Sequence, residues 1–257
     1  MRIAGAQIDI AWHDRLANHA KARSFAEEAK AAKADVLIFP EMFSTGFSMD
    51  TTVTPEPIDG PTPTLLRELA VQYGMVVVGG FVLKRKDARP QNVSLAVDPS
   101  GNDLALYAKI HQISILDENN HYAPGERPMP FDLAGSKAAS LICFDLRFPE
   151  LFRALTDQCW LIMVGASWPA ARQAHWDILL KARAVENQCY VVGVNRVGEG
   201  GGHLFSGGSA IIDPLGEVLA LKRDKEGLVI ADIDPLKVTE VRTTMPFLEE
   251  RKEKISI

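Results

Sequence analysis

Ser94-Leu-Ala-Val-Asp-Pro-Ser-Gly101 returns in outline more than a hundred residues later as Ser209-Ala-Ile-Ile-Asp-Pro-Leu-Gly216. Each is a short apolar, β-branched run, then Asp-Pro-x-Gly, then a second apolar run. Aspartate suits the first position of a type I turn, proline the second and glycine the fourth. Each half of the chain is therefore expected to hold an antiparallel hairpin, and a purely parallel doubly wound sheet is excluded.

Outward from these hairpins, short apolar segments alternate with longer amphipathic ones. Strands are predicted over 3–8, 35–39, 75–83, 93–97, 104–110, 138–143, 160–165, 189–194, 209–212 and 228–233. A first helix is predicted over 16–33, with Leu16, Ala20, Phe25 and Ala29 on its apolar side. A second opens with Thr62 as N-cap and Pro63 at its first position, and Gly74 closes it in the left-handed region. A third follows Pro149, and a fourth spans about 172–188 with Trp176, Leu179, Leu180 and Arg183.

Helices must each cover a sheet face, so hairpins in both halves imply two sheets packed together with helices outside, an α/β fold. Nothing in 257 residues reads as a linker or short repeat, and one domain over 1–257 is expected. Gly198-Glu-Gly-Gly-Gly-His203 lacks both the GxGxxG spacing and the lysine of a phosphate loop, and reads as a flexible surface loop.

The net charge of −5 carries no basic block to neutralise phosphates, so a nucleic-acid partner is not expected. The longest apolar runs are strand length, so neither a membrane span nor a secretory leader is read, and a cytoplasmic location is expected. Cys143, Cys159 and Cys189 are an odd, widely spaced set that suits neither disulfides nor a CxxC metal site.

Three apolar strands end on chemistry. Asp35-Val-Leu-Ile-Phe-Pro-Glu41 closes on a carboxylate, Leu104-Ala-Leu-Tyr-Ala-Lys109 on an ammonium and Leu141-Ile-Cys143 on a thiol. In open α/β sheets ligands collect at the carboxyl ends of strands. Taken singly, each has a plain alternative: a solvated loop acid, or a small core thiol. Together they supply a nucleophile, a base that returns its proton to a departing amine, and a positive donor for an oxyanion, which is the equipment for cleaving an amide through a covalent intermediate.

These residues resemble the nitrilase superfamily of carbon-nitrogen hydrolases. The likeness rests on Phe39-Pro-Glu41-Met-Phe-Ser-Thr-Gly-Phe47, Tyr107-Ala-Lys109-Ile-His111 and Ile142-Cys143-Phe-Asp-Leu-Arg-Phe-Pro-Glu150, and runs over nearly the whole chain. The resemblance implies a four-layer α-β-β-α sandwich, no cofactor and no metal. It also implies a homodimer or higher homo-oligomer joined through helices, with 235–257 contacting the partner. Glu41, Lys109 and Cys143 would be the catalytic triad. Glu118, in Leu116-Asp-Glu118-Asn-Asn-His-Tyr122, would be a fourth catalytic residue that orients the lysine, the alternative being a solvated loop acid. Phe144 would lend its backbone N–H to the oxyanion.

Ser167-Trp-Pro-Ala-Ala-Arg-Gln-Ala-His-Trp176 and Ala182-Arg-Ala-Val-Glu-Asn-Gln188 are most similar to the omega-amidase branch. That likeness implies hydrolysis of the terminal amide of 2-oxoglutaramate or 2-oxosuccinamate to the acid and ammonia. Other small amides, N-carbamoyl compounds or nitriles are the alternative substrates, and an inactive scaffold is the alternative of another class. The distant carboxylate of a 2-oxo acid calls for an arginine, and Arg172 is the candidate, unless it is a surface residue at a helix start. Arg147 either reaches the same pocket or pairs with Asp145 or Glu150. Phe43, Phe47 and Trp168 either wall the site or pack in the core, and Phe47 and Trp168 are the substrate-binding candidates among them. Arg183 and Glu186 are expected to pair on one helix. Members of the branch commonly carry His-Leu-Phe after the lysine, where this chain has His111-Gln-Ile113. Gln112 and Ile113 are therefore expected beside the lysine, where they would bear on specificity.

Overall fold

Both Asp-Pro-x-Gly stretches close hairpins of one construction in the computed structural model, which describes residues 1–252. The Gly101 amide donates to the Asp98 carbonyl at 2.9 Å and the Gly216 amide to Asp213 at 3.0 Å. Each aspartate carboxylate then caps two further amides, those of Ser100 and Asn102 in one turn and of Leu215 and Glu217 in the other. Both closing glycines take φ near +85° (86° and 85°), where a side chain would be strained.

The elements run β1 (Arg2–Gln7), α1 (Arg15–Ala31), β2 (Val36–Ile38), β3 (Pro55–Glu56), α2 (Pro61–Tyr73), β4 (Val76–Leu83), β5 (Gln91–Val97), β6 (Asp103–Ala108) and α3 (Glu118–His121). There follow β7 (Phe131–Leu133), β8 (Ser136–Ile142), α4 (Pro149–Leu155), β9 (Cys159–Ala166), α5 (Gln173–Asn187) and β10 (Tyr190–Asn195). The last are β11 (Val197–Gly200), β12 (His203–Ile212), β13 (Val218–Arg223), β14 (Gly227–Asp232) and α6 (Pro235–Thr244).

They build two seven-stranded sheets, one ordered β14-β1-β2-β4-β5-β6 with β3 beside β4, the other β11-β12-β10-β9-β8-β7 with β13 beside β12. In each, three central strands are parallel (β1, β2, β4 and β8, β9, β10) and, apart from the short parallel β3–β4 pair, the flanking pairs are antiparallel. The hairpins thus sit at the flanks of parallel centres.

Strand residues alternate between two cores. On β2, Val36 and Ile38 pack between the sheets with Met163, Val192 and Val194, whereas Leu37 packs outward on Phe25, Leu66 and Leu69 of α1 and α2. On β9, Leu161 and Met163 face the other sheet while Ile162 and Val164 meet Phe152, Trp176 and Leu180 of α4 and α5. This is the α-β-β-α sandwich. Burial on both faces explains why the central strands read as unbroken apolar runs.

Several local expectations are corrected. The buried stripe of α1 is Asn18, Ala22, Phe25, Ala26 and Ala29; Leu16 and Ala20 lie on its opposite side in solvent. Helix α2 begins at Pro61 with Gly60 as N-cap, because the buried Glu56 carboxylate reaches in to accept the Thr62 amide at 2.6 Å. Gly74 ends it in the left-handed region as expected. The glycine-rich stretch is the tip of the β11–β12 hairpin, with Gly201 and Gly202 both at positive φ as a type I′ turn requires.

The described part of the C-terminal segment packs on its own chain. Val238 and Val241 are buried, and Arg242 donates to the carbonyls of Cys159, Asn187 and Gln188. Residues 253–257, the end of the stretch expected to meet a partner, lie outside the described residues.

Candidate active site

Cys143 is the residue immediately past β8, and its φ of 45° is left-handed, a strained position for a residue with a side chain. The turn that follows is held by Asp145. One oxygen of its buried carboxylate accepts the Ile142 amide at 3.0 Å and the Tyr107 hydroxyl at 2.8 Å. The other accepts the His111 amide and ring Nδ1, both at 3.0 Å. Arg183 pairs with Glu186 as expected and also donates twice to the Leu146 carbonyl, at 3.0 and 2.8 Å. The thiol is thus presented on a turn braced from β6 and from α5.

Glu41 follows β2 on a loop threaded between the sheets. Two glycines leave room for it: a Cβ on Gly80 of β4 would come within 2.9 Å of Glu41 Cα, and one on Gly165 of β9 within 3.3 Å of its amide nitrogen. Glu41 Oε1 accepts from Lys109 Nζ at 2.9 Å and from Asn92 Nδ2 at 2.8 Å, and Oε2 accepts the Ser167 amide at 2.9 Å. Glu118 is buried beside them, not solvated. Its two oxygens take Lys109 Nζ at 2.9 and 2.8 Å, and Oε2 also accepts the Ile113 amide at 2.9 Å. The Phe47 ring lies 5.0 Å from Nζ on a further side.

Burial alone would depress the Lys109 pKa, but the carboxylates of Glu118 and then Glu41 more than offset it and hold the ammonium above its ordinary range. Burial pushes the Cys143 thiol well up, and the Glu41 carboxylate pushes the same way against the opposing pull of Lys109. The resting site therefore holds a neutral thiol beside a fixed positive charge. A removable proton, an ionisable acceptor next to it and a permanent cation are what acyl transfer needs.

Cys143 opens on a cleft of about 290 Å³, its mouth included, walled by Phe47, Ile113, Phe144, Trp168, Arg147 and Arg172. Arg147 pairs with neither Asp145 nor Glu150. Its guanidinium lies 4.7 Å from the Trp168 ring and 5.8 Å from the Phe144 ring, with the His175 ring nitrogen at 3.2 Å. Burial, then the nearby Arg172, lowers its pKa. No ion pair to a carboxylate engages either arginine among the described residues. Two cations on one apolar wall suit an anion.

Trp168 is held by its own backbone and ring, the amide donating to Asn195 Oδ1 and the indole N–H to the Arg172 carbonyl, each at 2.8 Å. Phe43 stacks on Phe39 in the core instead. Of the two residues that depart from the branch pattern, Ile113 lines the cleft, and Gln112 turns away to the Tyr122 carbonyl at 2.8 Å.

Asn92, the Ser167 amide and Asp145 escape a reading by residue type, because their partners lie far along the chain. Only Asn92 leaves a trace: an amide side chain within the strand-like Gln91-Asn-Val-Ser-Leu-Ala-Val97 needs a polar partner once buried. No helix among the described residues is long and apolar enough to cross a membrane.

A family model described as carbon-nitrogen hydrolase matches residues 2–243. Among curated proteins, the 2-oxoglutaramate amidase of Bacillus subtilis (strain 168) is 36% identical over 246 residues, covering 95% of each chain. Omega-amidase YafV of Escherichia coli (strain K12) is 32% identical over 256 residues, covering 98% of this chain and 97% of its own. Among solved structures, XC1258 from Xanthomonas campestris, a CN-hydrolase superfamily protein with an arsenic adduct in its active site, matches with a TM-score of 0.93. Its identity is 31%, and the match covers 100% of this chain and 99% of that one. An amidase from Nesterenkonia sp. AN1, with acrylamide added at its active-site cysteine, gives a TM-score of 0.85 at 27% identity, covering 97% and 99%.

Proposed function

This chain belongs to the carbon-nitrogen hydrolase family and is a hydrolase of carbon–nitrogen bonds, and from that premise we propose that it is a cysteine-dependent amidase of small 2-oxo acid amides. The substrates are 2-oxoglutaramate or 2-oxosuccinamate, and the products the 2-oxo dicarboxylic acid and ammonia. The observation that carries this reading is the cleft itself, which Cys143 lines with Glu41 and Lys109 buried beside its thiol, and on whose wall two arginines stand without acidic partners among the described residues. The names of the Bacillus subtilis and Escherichia coli relatives point the same way.

Glu41 takes the thiol proton as Cys143 Sγ bonds to the amide carbon. The carbonyl oxygen becomes an oxyanion facing Lys109 Nζ and the Phe144 N–H. As the C–N bond breaks, Glu41 returns its proton to the nitrogen and ammonia leaves a thioester. Water then gives a proton to Glu41 and bonds to the thioester carbon; as the C–S bond breaks Glu41 passes that proton to Cys143 Sγ, restoring the thiol, and the acid departs. Glu118 keeps Lys109 pointed at the reaction. Arg172, with Arg147 beside it, holds the distal carboxylate, and Phe47 and Trp168 shape the slot.

The test is ammonia release from 2-oxoglutaramate, 2-oxosuccinamate, glutamine, an N-carbamoyl amino acid, an aliphatic amide and a nitrile, with Cys143→Ala as control. Turnover of the 2-oxo acid amides above the rest, lost in the control, is expected. Preference for another substrate would reassign the acyl group, and silence on all of them would favour an inactive scaffold. A nucleophilic thiol that must stay reduced suits the cytoplasm. The apolar face of α5 and β13 is the proposed seat of a homodimer.

A further inference from the structure

Asn92 sits on β5 between the two carboxylates that flank Lys109. Its single Nδ2 donates to Glu41 Oε1 at 2.8 Å and to Glu118 Oε1 at 3.1 Å, and its backbone carbonyl accepts the Lys109 amide at 2.9 Å. Its Oδ1 is buried and has no hydrogen-bond partner among the described residues. That unmet acceptor is a standing cost, and the side chain cannot turn over to relieve it without aiming the same oxygen at two carboxylates. The amide therefore has one workable orientation, and that orientation is spent wholly on Glu41 and Glu118.

Two buried carboxylates share one ammonium, so their placement around Nζ leans on the second donor they have in common. From these contacts we propose that Asn92 is a positioning residue that holds the Glu41 and Glu118 carboxylates in register around Lys109 and thereby aims Glu41 at Cys143. This rests on the reading of Glu41 as the base for Cys143. The titratable groups facing the pair are Lys109 at the end of β6, Cys143 past β8 and Tyr122 past α3. Arg147 stands across the cleft beyond the thiol. The lysine is already committed to both carboxylates, and burial holds Tyr122 protonated, its pKa pushed up to about 12. Asn92 is the remaining donor shared by the pair.

The experiment is the pH dependence of Cys143 alkylation by iodoacetamide, followed by mass spectrometry, in the wild type, Asn92→Ala and the shape-matched Asn92→Asp. Alkylation needs no substrate, so the result stands whether or not the 2-oxo acid amide reading does; a wild-type rate that follows no acid-side ionisation would count against Glu41 as base instead. Loss of the shared donor leaves the base misaligned and changes the charge facing the thiol, so the acid limb of the alkylation rate should move up by about one pH unit in Asn92→Ala, and further in Asn92→Asp, which adds a third acid. A residue that merely packs would change the rate at all pH values together, and an unmoved limb in both folded variants overturns the proposal. If neither variant folds, the wild type answers: the Asn92 Nδ2 proton resonances should titrate with the alkylation limb, and flat resonances across it refute the idea.

Discussion

Lys109 is an ammonium fixed between two carboxylates, and its pKa is held too high for it to serve as an acid or base near neutrality. On the proposed mechanism proton traffic falls to Glu41, whose own negative charge is one of the causes that keep Cys143 a thiol, second to burial. Replacing Glu41 by Gln removes that negative neighbour, which favours the thiolate. The Cys143 pKa should therefore fall, yet stay above that of a free cysteine because burial persists, while kcat drops by about 10²–10⁴-fold for want of a base. Thiolate absorbance at 240 nm against pH, beside kcat, checks both; a thiol titration shifted upward would contradict the electrostatic account. On the cleft wall, Arg172→Ala should raise KM for 2-oxoglutaramate by about ten- to a hundredfold, and Arg147→Ala should act in the same direction, because each removes a charged hydrogen bond to the carboxylate. An uncharged aliphatic amide is the comparison substrate, and equal losses on both substrates would defeat the assignment.

At the scale of elements, the proposed base depends on a loop that two strands leave room for. Gly80 and Gly165 are the gaps in β4 and β9 through which Pro40–Met42 passes, and Pro40 O and Met42 N lie within 3.0 Å of where a Gly80 Cβ would stand. Gly80→Ala should push the loop and carry Glu41 away from Lys109 and the Ser167 amide. Overpacking of this kind costs about 1–3 kcal/mol, or roughly 2–4 °C of Tm for each kcal/mol in a chain of this size. The loss in kcat/KM should be larger in proportion, about a hundredfold, since a displacement near 1 Å already spoils near-attack geometry. Calorimetry set beside steady-state kinetics decides it; a variant with a lowered Tm and full activity would show that the loop accommodates the methyl group without moving Glu41.

Across the whole molecule, α5 and β13 leave Ile178, Val185, Leu219 and Leu221 exposed, and the Arg223–Asp177 pair ties the two elements together beside them. This is the face proposed above to seat a homodimer, and on that proposal Ile178→Asp together with Val185→Asp should give a monomer by light scattering; an unchanged larger mass would move the interface elsewhere. Much of this architecture was legible in the linear order of residues. Turn chemistry at Asp98 and Asp213 and unbroken apolar strands are local properties, and so are Glu41, Lys109 and Cys143 standing where strands stop. The buried side of α1 was not legible, since a helix with several small residues offers more than one apolar stripe and only docking on the sheet and α2 selects it. Nor were Asn92, the Ser167 amide or the burial of Glu118, because each owes its role to partners 9 to 126 positions away. The sequence by itself determined the elements and the chemical groups at their ends, which depend on neighbours in the chain. Tertiary structure alone decided which of those groups share protons and charge, because hydrogen bonding and burial depend on distance through space.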